Sequence, residues 1–170
     1  MLVDKLANIG KRQFQAQYEI VFPNGIPFGT NTTGEEVKIM QRREVQIPER
    51  EVDTVDWFYR GIKITDIVPV DASSKEIELE FHIDQGWRIY KDMMLWRSAI
   101  YNERTGIAGD RTQTGTTLIL NAYDEAAIAA TWKFRGLRPK NVGTDAFSHE
   151  GNDYMAMRIM CIFDFIEYPE

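Results

Sequence analysis

The chain has 170 residues, a length that fits one domain over 1–170 with a core large enough to stand without disulfide or metal staples. Its hydrophobic fraction of 44% and charged fraction of 27% are ordinary for a globular protein. The net charge of −6 argues against a surface that grips nucleic acid by neutralising phosphates, and the lone cysteine, Cys161, cannot form an internal disulfide.

Met1–Ile9 lacks the apolar run of a signal peptide and reads as a short helix. No stretch approaches the roughly 18 apolar residues of a membrane span. The expectation is a protein made in a cytoplasm and soluble until it assembles. From Phe14 to Phe22, apolar residues alternate with Gln13, Gln15, Gln17 and Glu19, the pattern of a half-buried strand ended by Pro23-Asn24-Gly25. Alternation resumes with Val37, Ile39, Val45 and Ile47, which predicts another strand up to Pro48. Val55–Phe58 and Ile62–Ile67 read as a hairpin around Arg60-Gly61, and Pro69–Ser74 as a turn.

Ile77, Leu79, Phe81 and Ile83 alternate with Glu76, Glu78, Glu80 and His82, predicting a strand with one acidic face. The period then changes. Ile89, Met93, Trp96 and Ile100 are spaced by 4, 3 and 4, which predicts an amphipathic helix between Trp87 and Tyr101 with Asp84 or Gln85 capping its start. Asn102–Gly115 reads as a polar loop. Strands follow at Leu118–Ala122 and Ile128–Phe134, the second closed by Gly136 and Pro139. The last strand-like stretch, Tyr154–Tyr168, places Met155, Met157, Ile159, Cys161, Phe163 and Phe165 on one face. Its other face is mixed and includes Arg158, Met160, Ile162 and Ile166, so it needs a second cover, from this chain or another copy. The fold class is mostly β: a β-sandwich or open barrel of about seven strands with one helix packed on it.

The sequence offers little for catalysis. His82 alternates with glutamates, with no second His or Cys at ligand spacing, so a solvated polar face outweighs a metal site. His149 beside Ser148 does not make a triad, and there is no nucleophile elbow or phosphate loop. No cofactor or metal is expected. Arg42-Arg43 and the cluster Arg135, Arg138, Lys140 read either as strand-edge and turn charge or as partners for the acidic face of another subunit. A third alternative is a monomeric barrel that binds a small hydrophobic ligand between Trp57, Trp132 and the methionines.

Trp132-Lys133-Phe134-Arg135-Gly136-Leu137-Arg138-Pro139-Lys140-Asn141-Val142-Gly143, followed by a strand ending Phe163-Asp164-Phe165-Ile166-Glu167-Tyr168, resembles the C-terminal signature of contractile-phage tail tube proteins. That family is related to the tube proteins of type VI secretion and R-type bacteriocins. Phe58-Tyr59-Arg60-Gly61-Ile62-Lys63-Ile64 is similar to the family's basic hairpin, and Trp87–Ile100 to its single helix. The likeness covers roughly Val55–Tyr168; it departs at Ala146-Phe147-Ser148, where the family often has Asp-Trp, and in a longer loop at Asn102–Gln113.

The resemblance implies a non-enzymatic virion protein whose hexameric rings stack into a hollow tube inside a sheath, on a baseplate. DNA would pass through the β-lined lumen without specific binding. A baseplate or tail-end adaptor, or the tube of a secretion or bacteriocin machine, fits the same residues. Between copies, the candidate contacts are Arg42, Arg43, Glu76, Glu78, Glu80, Arg138, Lys140, Met160, Ile162 and Ile166.

Overall fold

A computed structural model describes residues 18–40, 45–71, 73–124, 127–145 and 155–169. In chain order the elements are β1 (Tyr18–Val21), α1 (Gly34–Met40), β2 (Val52–Tyr59), β3 (Ile62–Asp71), β4 (Glu76–His82), α2 (Arg88–Ile100), β5 (Tyr101–Asn102), β6 (Ile107–Ala108), α3 (Arg111–Thr114), β7 (Thr116–Asp124), β8 (Ala127–Thr144), β9 (Ala156–Ile162) and β10 (Phe165–Glu167). The main sheet runs β1-β7-β8-β9-β4, with β10 also on β8, and all its pairs are antiparallel. Among the described residues it is an open sheet: β1 and β4 stand at opposite ends and do not pair with each other. The mostly-β architecture matches the sequence expectation.

The core lies on one face of this sheet. Ile77, Leu79 and Phe81 of β4 meet Met157, Ile159 and Cys161 of β9, and Leu118, Leu120 and Phe134 continue the layer through β7 and β8. Helix α2 covers it with Ile89, Met93 and Trp96, at the spacing its sequence predicts. Each such side chain contributes about 1.5–3 kcal/mol through burial. Trp96 also satisfies its ring N–H by donating to the Thr114 carbonyl oxygen at 2.7 Å. The cap is not the expected Asp84 or Gln85: Trp87 holds the N-cap position of α2 with φ +55° and no side-chain cap bond. Asp84 supports the first turn from outside it, its Oδ1 accepting from the Arg88 backbone N–H at 2.9 Å.

Four further expectations need correction or extension. The alternation from Val37 does not make a strand; residues 34–40 form α1. Thr33 and Glu36 make a reciprocal capping box there. The Thr33 N–H donates to Glu36 Oε2 at 2.9 Å and the Glu36 N–H to Thr33 Oγ1 at 3.4 Å. Val37 then buries against the core as a helical residue.

β8 does not stop at Gly136 or Pro139. It continues to Thr144, because the pairing register shifts between Pro139 and Asn141 and the missing proline N–H breaks no ladder. Gly136 has φ +68°, and a Cβ there would sit 2.0 Å from an Asp164 carboxylate oxygen. Glycine is therefore required on two counts.

The last strand is divided. After β9 the Asp164 N–H turns to the Arg135 carbonyl, and Arg111 and Arg138 both hold the Asp164 carboxylate. This bend reverses the alternation, so Phe163 is buried while Phe165 is exposed. The loop after α2 is also more ordered than expected. It contains the β5–β6 pair and α3, which Asp110 caps by accepting from the Thr112 N–H at 2.8 Å. The expected helix at Met1–Ile9 and the start of the Phe14 strand lie outside the described residues.

One carboxylate is fully buried. Asp92, on α2, accepts the backbone N–H groups of Thr30, Asn31 and Thr32 at 2.8–3.1 Å, and the side chains of Asn31 and Thr32 at 2.6 Å. Burial pushes its carboxyl up, but the donors from Thr32, Asn31 and Thr30 outweigh that and hold it below the usual carboxylate range. Asp92 thus ties the loop before α1 to the body.

Candidate assembly surface

The β2–β3 hairpin is a two-stranded sheet separate from the main one. Its turn, Arg60-Gly61, has φ of +49° and +82°, the paired positive values of a tight type I′ turn. The register sets Trp57 opposite Ile64, Tyr59 opposite Ile62 and Val55 opposite Asp66. Side chains directly opposite share a face. One face therefore carries Val55, Trp57, Tyr59, Ile62 and Ile64, with Asp66 at its base end. The other carries Thr54, Asp56, Lys63 and Thr65, with Phe58 and Ile67.

On this second face the polar groups pair with one another, while Phe58 (72%) and Ile67 (65%) stay exposed. Asp56 accepts from Thr65 Oγ1 at 2.6 Å and faces Lys63 Nζ at 2.7 Å, which together hold its carboxyl below the ordinary range. The apolar face stays open to solvent: Trp57 is 45% exposed, Tyr59 54% and Ile62 66%. At the base a polar clasp joins the hairpin to the body. The Glu51 N–H donates to Ser73 Oγ at 2.9 Å, the Ser73 N–H to Asp71 Oδ1 at 3.0 Å, and Lys75 pairs with Asp71. At the tip, the Arg60 guanidinium lies over the Tyr59 ring, 5.3 Å from its centre.

The predicted contact residues fall mainly on the face of the sheet away from the core. Cross-strand rows there run Arg138–Ile162–Glu76, Asn141–Met160–Glu78 and Gly143–Arg158–Glu80. Met160 and Ile162 are half-buried, while Glu80 is almost fully buried with Arg158 Nε at 3.8 Å. Two of the predicted cations are engaged within the chain: Arg138 Nη2 reaches Asp164 at 2.9 Å, and Lys140 pairs with Glu76. Arg135 likewise binds Glu167, at 2.8 Å. Ile166 sits opposite Phe134 and packs against the core. Arg42 and Arg43 lie outside the described residues.

Beside the outer edge of β4 is a groove of about 780 Å³ whose walls include Pro48, Glu49, Glu76, Glu78, Glu80 and Met160. The acidic strand was legible in the sequence; the apolar face of the hairpin was missed. Its signal was present, since Val55, Trp57 and Tyr59 alternate just before the turn and Ile62 and Ile64 just after.

Cys161 is fully buried, and burial pushes its thiol well above the ordinary range, away from the reactive thiolate. No group of three or more His, Cys, Asp or Glu among the described residues is placed to hold a metal ion. Trp57 and Trp132, the suggested walls of a ligand cavity, are separated: Trp57 stands on the hairpin and Trp132 on β8. No helix among the described residues is long and apolar enough to cross a membrane.

No protein-family model matches the sequence, and neither does any curated protein. Solved structures do match the fold. A chain from the sheath/tube terminator of the extracellular contractile injection system PVC, in its extended state, superposes with a TM-score of 0.65 at 13% identity, covering 95% of this chain and 99% of that one. The protein carries a tube-protein fold. A chain from the anti-feeding prophage tube terminating cap gives 0.65 at 12% identity, covering 94% and 91%. One from the PVC sheath-tube complex gives 0.64 at 14%, covering 96% and 95%.

Proposed function

We propose that this chain is a structural, non-catalytic subunit of the inner tube of a contractile tail, built of six-membered rings stacked within a sheath on a baseplate. The observation that carries this reading is the β2–β3 hairpin, whose apolar face has no cover among the described residues. A two-stranded ribbon is marginal by itself in water and is stabilised by packing its apolar face on something else. The open sheet supports the same reading, because its ends, β1 and β4, are unlike edges. Unlike edges join head to tail, and such contacts close into rings or propagate as stacks. The likeness to chains from tube assemblies agrees with it.

In a phage such a tube would be the conduit for DNA. The net charge of −6 suits passage without capture, since phosphates meet like charge. Negative-stain electron microscopy of the purified protein tests the proposal: rings or tubes are expected. A chain that stays monomeric at high concentration, even with baseplate seeds, overturns it.

A ring that terminates the tube is a second reading, favoured by the similarity to the sheath/tube terminator and the terminating cap. It predicts rings that form but do not stack. A role in an injection machine rather than a phage is distinguished by the neighbouring genes, which encode a portal and capsid only in a phage.

A further inference from the structure

We infer that the groove beside β4 is the socket for the basic hairpin tip of a second copy of this chain. The inference rests on the tube-subunit reading and specifies how its copies join. The groove is lined by Glu49, Glu76 and Glu78, by the almost wholly buried Glu80, and by Pro48 and Met160. Lys140 offsets Glu76 and Arg158 faces Glu80, which leaves Glu49 and Glu78 as exposed acids on the wall. The hairpin tip has the opposite character. From Trp57 to Ile64 it carries Arg60 at the turn, Lys63, which Asp56 faces at 2.7 Å, and exposed Phe58, Tyr59 and Ile62.

Reach makes the contact intermolecular. β2 has 8 residues and β3 has 10, so the tip stands about 25–30 Å from the base at roughly 3.3 Å per residue. The groove lies at that base: Glu49 precedes β2 by three positions and Glu76 follows β3 by five. A straight ribbon cannot place its tip in a groove at its own root, but it can place it at the root of a neighbour. Tip and groove are different surfaces, so the contact is heterologous and each copy offers one of each to the next. Exposed ion pairs contribute little individually. The aromatic and aliphatic tip therefore supplies most of the buried area, and the charges select orientation and partner. Arg138, Lys140 and Lys63 are held by Asp164, Glu76 and Asp56 of their own chain, which makes Arg60, stacked on Tyr59 at the turn, the leading docking cation.

The test is a charge swap on the full chain, read by sedimentation and negative-stain microscopy. Arg60→Glu with Lys63→Glu, and separately Glu49→Lys with Glu78→Lys, should each raise the concentration needed for assembly roughly tenfold or more. All four changes in one chain should restore assembly. These side chains are exposed, so circular dichroism should stay that of the parent. As an independent readout, Arg60→Cys combined with Glu78→Cys should give a ladder of covalent oligomers on oxidation. A parent that assembles while both charge pairs and the cysteine pair leave assembly untouched overturns the socket and leaves the tube reading standing. Cross-links formed only to a different protein in a baseplate-seeded mixture overturn self-docking. A parent that never assembles overturns the tube reading and the socket with it.

Discussion

Trp96 and Trp57 are the same side chain in opposite circumstances. Trp96, on α2, is fully buried, meets Phe22 edge-on with ring centres 6.2 Å apart, and has its ring N–H bonded to Thr114. Trp57, on the hairpin, lies in a row of apolar neighbours that is just as well patterned, yet water reaches nearly half of it. The sheet–helix body completes its core within one chain. The hairpin has its apolar face formed and, among the described residues, left exposed. Amphipathic patterning thus predicts that a face will be covered without saying by which molecule, and here the two cases occur within forty positions of each other.

The sharpest way to break that contrast begins in the body. Trp96→Ala removes a large buried aromatic and leaves the Thr114 carbonyl without its donor, so a loss of about 3–5 kcal/mol is expected. Urea unfolding of the unassembled protein measures it. A loss below about 1 kcal/mol would mean that the helix is not seated on the sheet as described.

Next in size is Asp92→Ala. It strips five donors on residues 30–32 of their acceptor, and a loss of about 2–3 kcal/mol is expected, since hydrogen bonds to charged groups are worth more than neutral ones. This contribution depends on pH. The folded-state carboxyl is held below its ordinary value, so its stabilisation is fully present above about pH 3.9 and is lost as pH falls through the lower folded value. The stability gap between parent and Asp92→Ala should therefore be constant near neutrality and narrow in acid. A gap that widens in acid would show that Asp92 is protonated in the folded protein.

The elements that could be read from sequence are those whose partners lie on the same periodic face. Glu76–His82 and Arg88–Ile100 bury the residues their spacing selects, because sheet and helix cover each other. The failures have local or distant causes. In α1, Val37 and Ile39 are two apart and so mimic a strand; the deciding signal was the Thr33–Glu36 capping pair, which periodicity ignores. Gly136 and Pro139 look like terminators, and only Asp164, 28 positions from Gly136, explains why the strand passes through them. The candidate site divides in the same way. Glu76, Glu78 and Glu80 were legible as an acidic strand. That Arg138, Lys140 and Lys63 would be engaged by acids of their own chain, unlike Arg60 at the hairpin tip, depends on tertiary contacts that no spacing encodes.

The smallest change in folding stability belongs to Trp57→Ser, and it tests the comparison most directly. The ring is already half in water on a ribbon that packs mainly on itself, so truncation should alter the unfolding free energy of the single chain by less than about 0.5 kcal/mol. Assembly should respond very differently. A tryptophan at the centre of an apolar strip that becomes buried between copies is the residue type whose loss weakens an interface most, so the concentration for assembly should rise roughly thirtyfold or more. The two numbers together carry the conclusion, because either alone has another explanation. A large loss of folding stability would make the hairpin part of the body's own core. Unchanged assembly would mean that its apolar face stays wet even among copies. Only a silent effect on the monomer with a severe one on assembly fits an arm that is finished by its neighbour.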